Sequence, residues 1–355
     1  MTTWPRPTPQ QQLEFLQRIQ SLFEDGDFSA TYKFALLMSL AELAVERGTD
    51  DGRPLDLDLT QIGEKFAELY WPQSIPYSSG TAGASVDILA QNQGAQAAVI
   101  NELLKLRSAG ANTLSQAKQL RQWPDVVQRI ARVVREMPVQ FLQNIGGRAV
   151  PFLYDFPLPR GKLVLKPGVA FLLRSFHGLI QQLARAGWVT HIRQNSRNTP
   201  IIGRADDLEF FMFGTPRQNL QEVSVTLAEM QSGRCFYCND PIRSGGDVDH
   251  FIPWTRYPRD LAHNFVLAHA GCNRHKSDML AAKPHLDRWL KRNELHGDEI
   301  AGRACASGFL ADRNCSWTVA KWAYSQGASS TGIAWVRDQV TEPISDQYLA
   351  SFLSS

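Results

Sequence analysis

The chain has 355 residues, 43% of them hydrophobic, and a formal charge of only +2, which suits one large or two to three modest soluble domains with real cores. No stretch approaches the roughly 18 consecutive apolar residues of a membrane span, and the N-terminus MTTWPRPTPQQQ lacks the basic segment and apolar core of a secretory leader, so a cytoplasmic protein is expected. The near-neutral charge neither demands nor excludes nucleic acid, because binding depends on where Lys and Arg lie.

The first element in chain order is FSATYKFALLMSLAELAVERG, a buried helix with Ser29 as N-cap and Gly48 as its stop. A second helix is expected from Thr60 to just before Pro72. The stretch PQSIPYSSGTAGAS reads as an irregular loop, because Pro, Ser and Gly leave no apolar period. QGAQAAVINELLKL and WPDVVQRIARVVREM read as amphipathic helices. The second aligns Arg129, Arg132 and Arg135 on one face, either a solvated surface or a phosphate-facing stripe. Around residues 150–166, VPFLYDF and KLVLK are two strand-like runs joined by a Pro and Gly turn, which predicts a β-hairpin. Helices follow over Gly168–Ala186 and Leu220–Gln231.

The chemistry concentrates between Cys235 and Lys276. Of five cysteines, Cys235 and Cys238 form a C-x-x-C pair, and His269 with Cys272 repeat that separation about thirty residues on. Two thiolates on a tight knuckle, joined by an imidazole and a third thiolate, make the tetrahedral set of a structural zinc site. Cys272 and His275 also make C-x-x-H, so His275 competes with His269 for the fourth position. Cys305 and Cys315 lie outside the pattern and read as ordinary small thiols. Within the clamp stand Asp249, His250, Phe251, Ile252 and Pro253, then Asn264; after Cys272 come Asn273, Arg274, Lys276, Ser277 and Asp278. On a helix starting near Ala270, Asn273 and Lys276 share a face, with Cys272 turned about 100° from Asn273 and His275 about 200° from it.

In D-H-F-I-P, A-H-N-F-V and C-N-x-x-K-S-D this segment resembles the HNH endonucleases, the ββα-metal or His-Me finger family. Two departures stand out: His269 takes the place of a common third cysteine, and Asn273 that of the final His. The resemblance implies that Asp249 and Asn273 hold one Mg²⁺ or Mn²⁺ through hard oxygens. It implies His250 as the general base toward water and Asn264 as the residue that braces the loop and orients that histidine. Lys276 and Arg274 are candidates for phosphate contacts or for solvated charges. Zn²⁺ in Cys235, Cys238, His269 and Cys272 would be structural.

The fold expected is mainly α with a small α+β module. A helical domain over 1–230, with the hairpin near 150–166, would serve recognition or partner binding. A zinc-stabilised ββα-metal HNH module would span 231–300 and a helical extension 301–355. Beyond Lys276, a helix through LAAKPHLDRWLKRNEL is expected to be interrupted at Pro284, with Arg288, Lys291 and Arg292 extending the DNA-facing surface. WTVAKWAYSQ and GIAWVRDQV read as terminal helices with core tryptophans. The function expected is metal-dependent hydrolysis of DNA phosphodiester bonds in bacterial restriction or anti-phage defence, with other defence proteins as further partners. The competing readings are a non-catalytic zinc-stabilised nucleic-acid binding or scaffold protein, a homing nuclease and an RNA-directed nuclease.

Overall fold

Thr8 opens the first helix through a capping box, its hydroxyl accepting from the Gln11 amide while the Gln11 side chain accepts from its own. In the computed structural model, which describes residues 4–26, 30–80, 83–203, 207–214 and 217–353, the chain is mainly helical with small sheets. It divides into two compact units, Met1–Asn112 with Ala117–Gly214 and Thr113–Gln116 with Thr215–Ser355. Among the described residues, no helix is long and apolar enough to cross a membrane.

The first unit comprises α1 (Pro9–Asp25), α2 (Tyr32–Arg47), β1 (Leu55–Leu57), α3 (Leu59–Tyr70) and α4 (Ala98–Ser108). Then follow α5 (Leu114–Gln119), whose residues are divided between the two units, α6 (Trp123–Glu136), α7 (Pro138–Phe141), β2 (Asn144–Ile145), β3 (Arg148–Ala149) and β4 (Leu163–Leu165). The series ends with α8 (Val169–Ser175), α9 (His177–Gln194), α10 (Thr199–Ile202) and α11 (Leu208–Phe213). Helix α2 is its axis. Every residue from Tyr32 to Val45 is buried, as an apolar circumference requires, and α3, α8 and α9 pack around it. Arg174 of α8 closes its C-terminus, donating to the carbonyls of Ala44, Val45 and Gly48 while pairing with Asp50 at 2.9 Å. Gly48 ends α2 as expected; the expected cap Ser29 lies outside the described residues.

Two local expectations fail here. Residues 150–166 do not form the hairpin: β4 pairs antiparallel with β1, more than a hundred positions away in sequence, and the first run contributes only a bridge from Tyr154 to Leu165. The reason is local competition, because the Gln143 side chain accepts from the Leu153 and Tyr154 amides and donates to the Tyr154 carbonyl, meeting backbone needs that a strand partner would otherwise meet. The helix expected over Gly168–Ala186 breaks at Phe176 into α8 and α9. In the arginine stripe, Arg129 pairs with Glu102 at 2.6 Å, whereas Arg132 and Arg135 are exposed.

The second unit contains α12 (Arg217–Met230), β5 (Asp247–His250), β6 (Phe265–Ala268), α13 (Ala270–Lys276), β7 (Leu280–Ala281), α14 (Lys283–Ala306), α15 (Arg313–Ser329), β8 (Ile333–Arg337), β9 (Val340–Pro343) and α16 (Asp346–Ala350). Strands β5 and β6 pair antiparallel, with Asp249 opposite Val266 and His250 opposite Phe265. One face of this hairpin seals a core made with Val223 and Leu227 of α12 and Ile300 and Ala304 of α14. The C-terminal segment is not wholly helical. GIAWVRDQV forms most of a β-hairpin, in which β8 pairs antiparallel with β9 and parallel with β7. Its turn is made possible by Asp338 at φ 44°, a left-handed conformation that Asp tolerates better than most residues. Pro284 does not interrupt the long helix but starts it, at the first turn of α14, where its missing N–H costs nothing.

Candidate active site and metal centre

The zinc-type cluster is built by a knuckle before β5 and by the junction of β6 with α13. Asn239, at φ 64°, lets the chain reverse so that the Asn239 amide reaches the Cys235 carbonyl and the Cys235 amide reaches Asp240. The ligand atoms of Cys235, Cys238, His269 and Cys272 all lie within 4.8 Å of one another. His269 turns Nδ1 to Cys238 Sγ at 3.3 Å and Nε2 to the Pro241 carbonyl at 3.2 Å; a carbonyl on the second nitrogen is how metal-bound imidazoles are commonly oriented. The His269 amide also donates to Cys235 Sγ. Burial and the neighbouring Cys235 and Cys238 thiols push Cys272 up to about 12, and burial likewise raises Cys238. So dense a set of sulfur atoms suits a dication that favours the thiolates, and the cluster fits structural zinc. His275 is not part of it: it is exposed, and its Nδ1 lies 3.6 Å from Asp338.

The remaining candidates gather where α13 crosses β5. Asp247 and Asp249 stand two apart on a strand and so share a face, and each meets α13. The Asn273 amide donates to Asp247 at 3.2 Å. Lys276, expected at a phosphate or in solvent, is instead fully buried. Its ammonium lies 3.0 Å from Asp249 Oδ2, 3.3 Å from Oδ1 and 3.0 Å from the His250 carbonyl. The Tyr237 hydroxyl donates to Asp249 Oδ2 at 2.5 Å; burial, then the Asp249 charge, raises this phenol well above its ordinary range and keeps it a donor. Both Asp249 oxygens are therefore engaged, and the carboxylate that Asn273 hydrogen-bonds is Asp247. Asp247 is exposed and Asn273 half-buried. Their hard oxygen donors suit Mg²⁺ or Mn²⁺ once the amide turns its oxygen outward.

His250 ends β5 with Nε2 2.8 Å from Asp260 Oδ1. Asn264 makes no hydrogen bond to the imidazole. It braces the next turn of chain, accepting from the Ile252 amide at 2.8 Å and donating to the Ile252 carbonyl at 2.9 Å, while Phe251 stacks on Trp289 with ring centres 5.0 Å apart. Arg274 is exposed on α13. The arginines expected to extend the DNA-facing surface also hydrogen-bond within the second unit: Arg288 donates to the Phe236 and Tyr237 carbonyls, and Arg292 to those of Phe265 and His263. Lys291 and Arg288 are exposed and Arg292 is half-buried.

Sequence reasoning missed Asp247, Tyr237 and Asp260. Asp247 had a usable signal, because strand alternation places D-x-D on one face. Tyr237 sits in an unspecified position of the C-x-x-C pair, and Asp260 in a loop without period, so neither announces itself.

A family model described as a domain of unknown function, DUF8808, matches residues 12–206, more than half of the chain. A second, described as HNH endonuclease, matches residues 235–282, from the first zinc-type cysteine to the start of α14. No curated protein and no solved structure matches the chain.

Two outcomes follow from this geometry. Metal analysis of purified protein should show zinc lost from His269→Ala and kept by His275→Ala; loss from the second alone would overturn the ligand set. Lys276→Met should destabilise the second unit by about 3–5 kcal/mol in urea unfolding, because it leaves the Asp249 charge buried without its partner. A change below about 1 kcal/mol would mean that the pair is solvated.

Proposed function

We propose, from the premise that the chain belongs to the DUF8808 family and carries an HNH endonuclease domain behind it, that it is a metal-dependent endonuclease hydrolysing DNA phosphodiester bonds in bacterial restriction or anti-phage defence. The observation that carries this reading is the meeting of Asp247 with Asn273 and of Asp249 with Lys276 where β5 and α13 cross, with His250 the next residue along β5 and Cys272 of the cysteine and histidine cluster on the same helix.

His250 is the general base. Its Nδ1 has no hydrogen-bond partner among the described residues and accepts a proton from water, whose oxygen bonds to phosphorus. The P–O3′ bond breaks, its electron pair leaves on the 3′ oxygen, and that oxygen takes a proton from solvent. Asn273, with Asp247 or Asp249, would hold the divalent ion. Bound there, the ion would neutralise charge on the phosphoryl and departing oxygens. Lys276 holds the Asp249 carboxylate and the His250 carbonyl, so it acts on strand position and not on phosphate. Asn264 fixes the loop that follows. Arg274 remains the exposed cation of α13 suited to a phosphate. The DUF8808 domain serves recognition of DNA or of a partner protein of the defence system, and the restriction role rests on this pairing of a large domain with a nuclease module.

Purified protein with Mg²⁺ or Mn²⁺ should nick or cut plasmid or phage DNA, and EDTA should stop it. His250→Ala should lower the rate about 10²–10⁴-fold with zinc content unchanged. Undiminished cleavage by that variant would remove His250 from the reaction. No cleavage by the parent protein, with DNA still bound, would favour the non-catalytic zinc module.

A further inference from the structure

We propose that Asp260 is a positioning residue that sets the tautomer and the aim of His250; this rests on the reading of His250 as the base. The geometry has three parts. Asp260 Oδ1 stands 2.8 Å from Nε2, and the two side chains are only 20% and 16% exposed. A carboxylate at that distance is purely an acceptor, so the neutral imidazole carries its proton on Nε2 and its lone pair on Nδ1. Two rings then fix the plane: Phe265 meets the imidazole edge-on with centres 5.0 Å apart, and Trp254 does so at 5.3 Å. With one nitrogen tethered and both neighbouring rings packed, a turn that swapped Nε2 for Nδ1 would cost the hydrogen bond and the ring contacts together.

The chain ahead of Asp260 is itself held. After His250 it turns at Pro253, whose carbonyl accepts from the Arg256 and Tyr257 amides. Tyr257 is buried at 2% exposure and Leu261 at 8%, so Asp260 is set between two anchored residues and not on a free loop tip. The consequence is chemical. When Nδ1 takes the proton of water, positive charge forms on a ring that already faces a carboxylate, and no rearrangement is needed to meet it. This is the division of labour of a base with an orienting acid, made from a residue ten positions further along the chain.

The test uses the full chain, with Asp260→Asn, Asp260→Glu and His250→Ala compared with the parent. Asparagine keeps the size and a hydrogen bond but offers an amide donor, which stabilises the opposite tautomer. Asp260→Asn should lower kcat about 10²–10⁴-fold, with KM for DNA, zinc content and thermal midpoint little changed. Asp260→Glu should recover part of kcat. Long-range ¹H–¹⁵N spectra of histidine-labelled protein, near pH 8.5 where imidazole is ordinarily neutral, give a readout that needs no cleavage. The resonance assigned to His250 by its absence in His250→Ala should show Nε2–H in the parent and Nδ1–H, or a mixture, in Asp260→Asn. An unchanged tautomer in Asp260→Asn, or a parent-like kcat, overturns the proposal, as does a loss shared equally by kcat, KM and thermal midpoint. A His250→Ala protein that cleaves at the parent rate instead overturns the base assignment, while the spectra still decide what Asp260 does to the ring.

Discussion

A single buried ammonium ties the site together. Lys276, at the last turn of α13, ends between the carboxylate of Asp249 and the carbonyl of His250, so it joins the helix to both residues at the end of β5. Taking an amine and a carboxylate out of water costs several kcal/mol per ion unless every remaining lone pair is met. Here Tyr237 meets Asp249 from the knuckle side. The arrangement tolerates little slip: a helix displaced by one residue would carry Lys276 away from Asp249 and Asn273 away from Asp247 together, because the two lie three positions apart on one face.

The same pair links the two centres. Tyr237 lies between Cys235 and Cys238, so the knuckle that brings two thiols to the cluster also brings the hydroxyl that completes Asp249. Cys272 lies beside Asn273, so one short helix serves both sites. Arg288 and Arg292 of α14 reinforce this from behind by holding carbonyls of the knuckle and of β6. Cations that look from their spacing like a surface for DNA thus also tie carbonyls of the frame, Arg288 while still exposed.

Where sequence and structure agree, the reason is that chemistry sat in local spacing. C-x-x-C followed by H-x-x-C brings four ligands together wherever a knuckle and a helix start face each other, and the buried circumference of Tyr32–Val45 could only be a central helix. What stayed hidden depended on distant partners. KLVLK looked like half of a local hairpin because strand pattern does not name a partner, and its partner is Leu55–Leu57. Lys276 looked like a surface charge because nothing in C-N-x-x-K reveals that Asp249 stands across from it. Asp260 was invisible for the same reason, its position being set by a turn through Pro253 and Tyr257 with no periodic signature.

We propose two metal centres with separate duties, a closed sulfur-rich one for the frame and an open oxygen-rich one on the face of β5 that carries Asp247 and Asp249. Diffraction from crystals grown with Mn²⁺, recorded at the zinc and manganese absorption edges, tests this proposal most directly. A zinc peak is expected among Cys235, Cys238, His269 and Cys272, and a separate manganese peak at Asn273 and the Asp247–Asp249 face of β5. Manganese found only in the cysteine cluster, or absent from the neighbourhood of His250 with DNA bound, would contradict it.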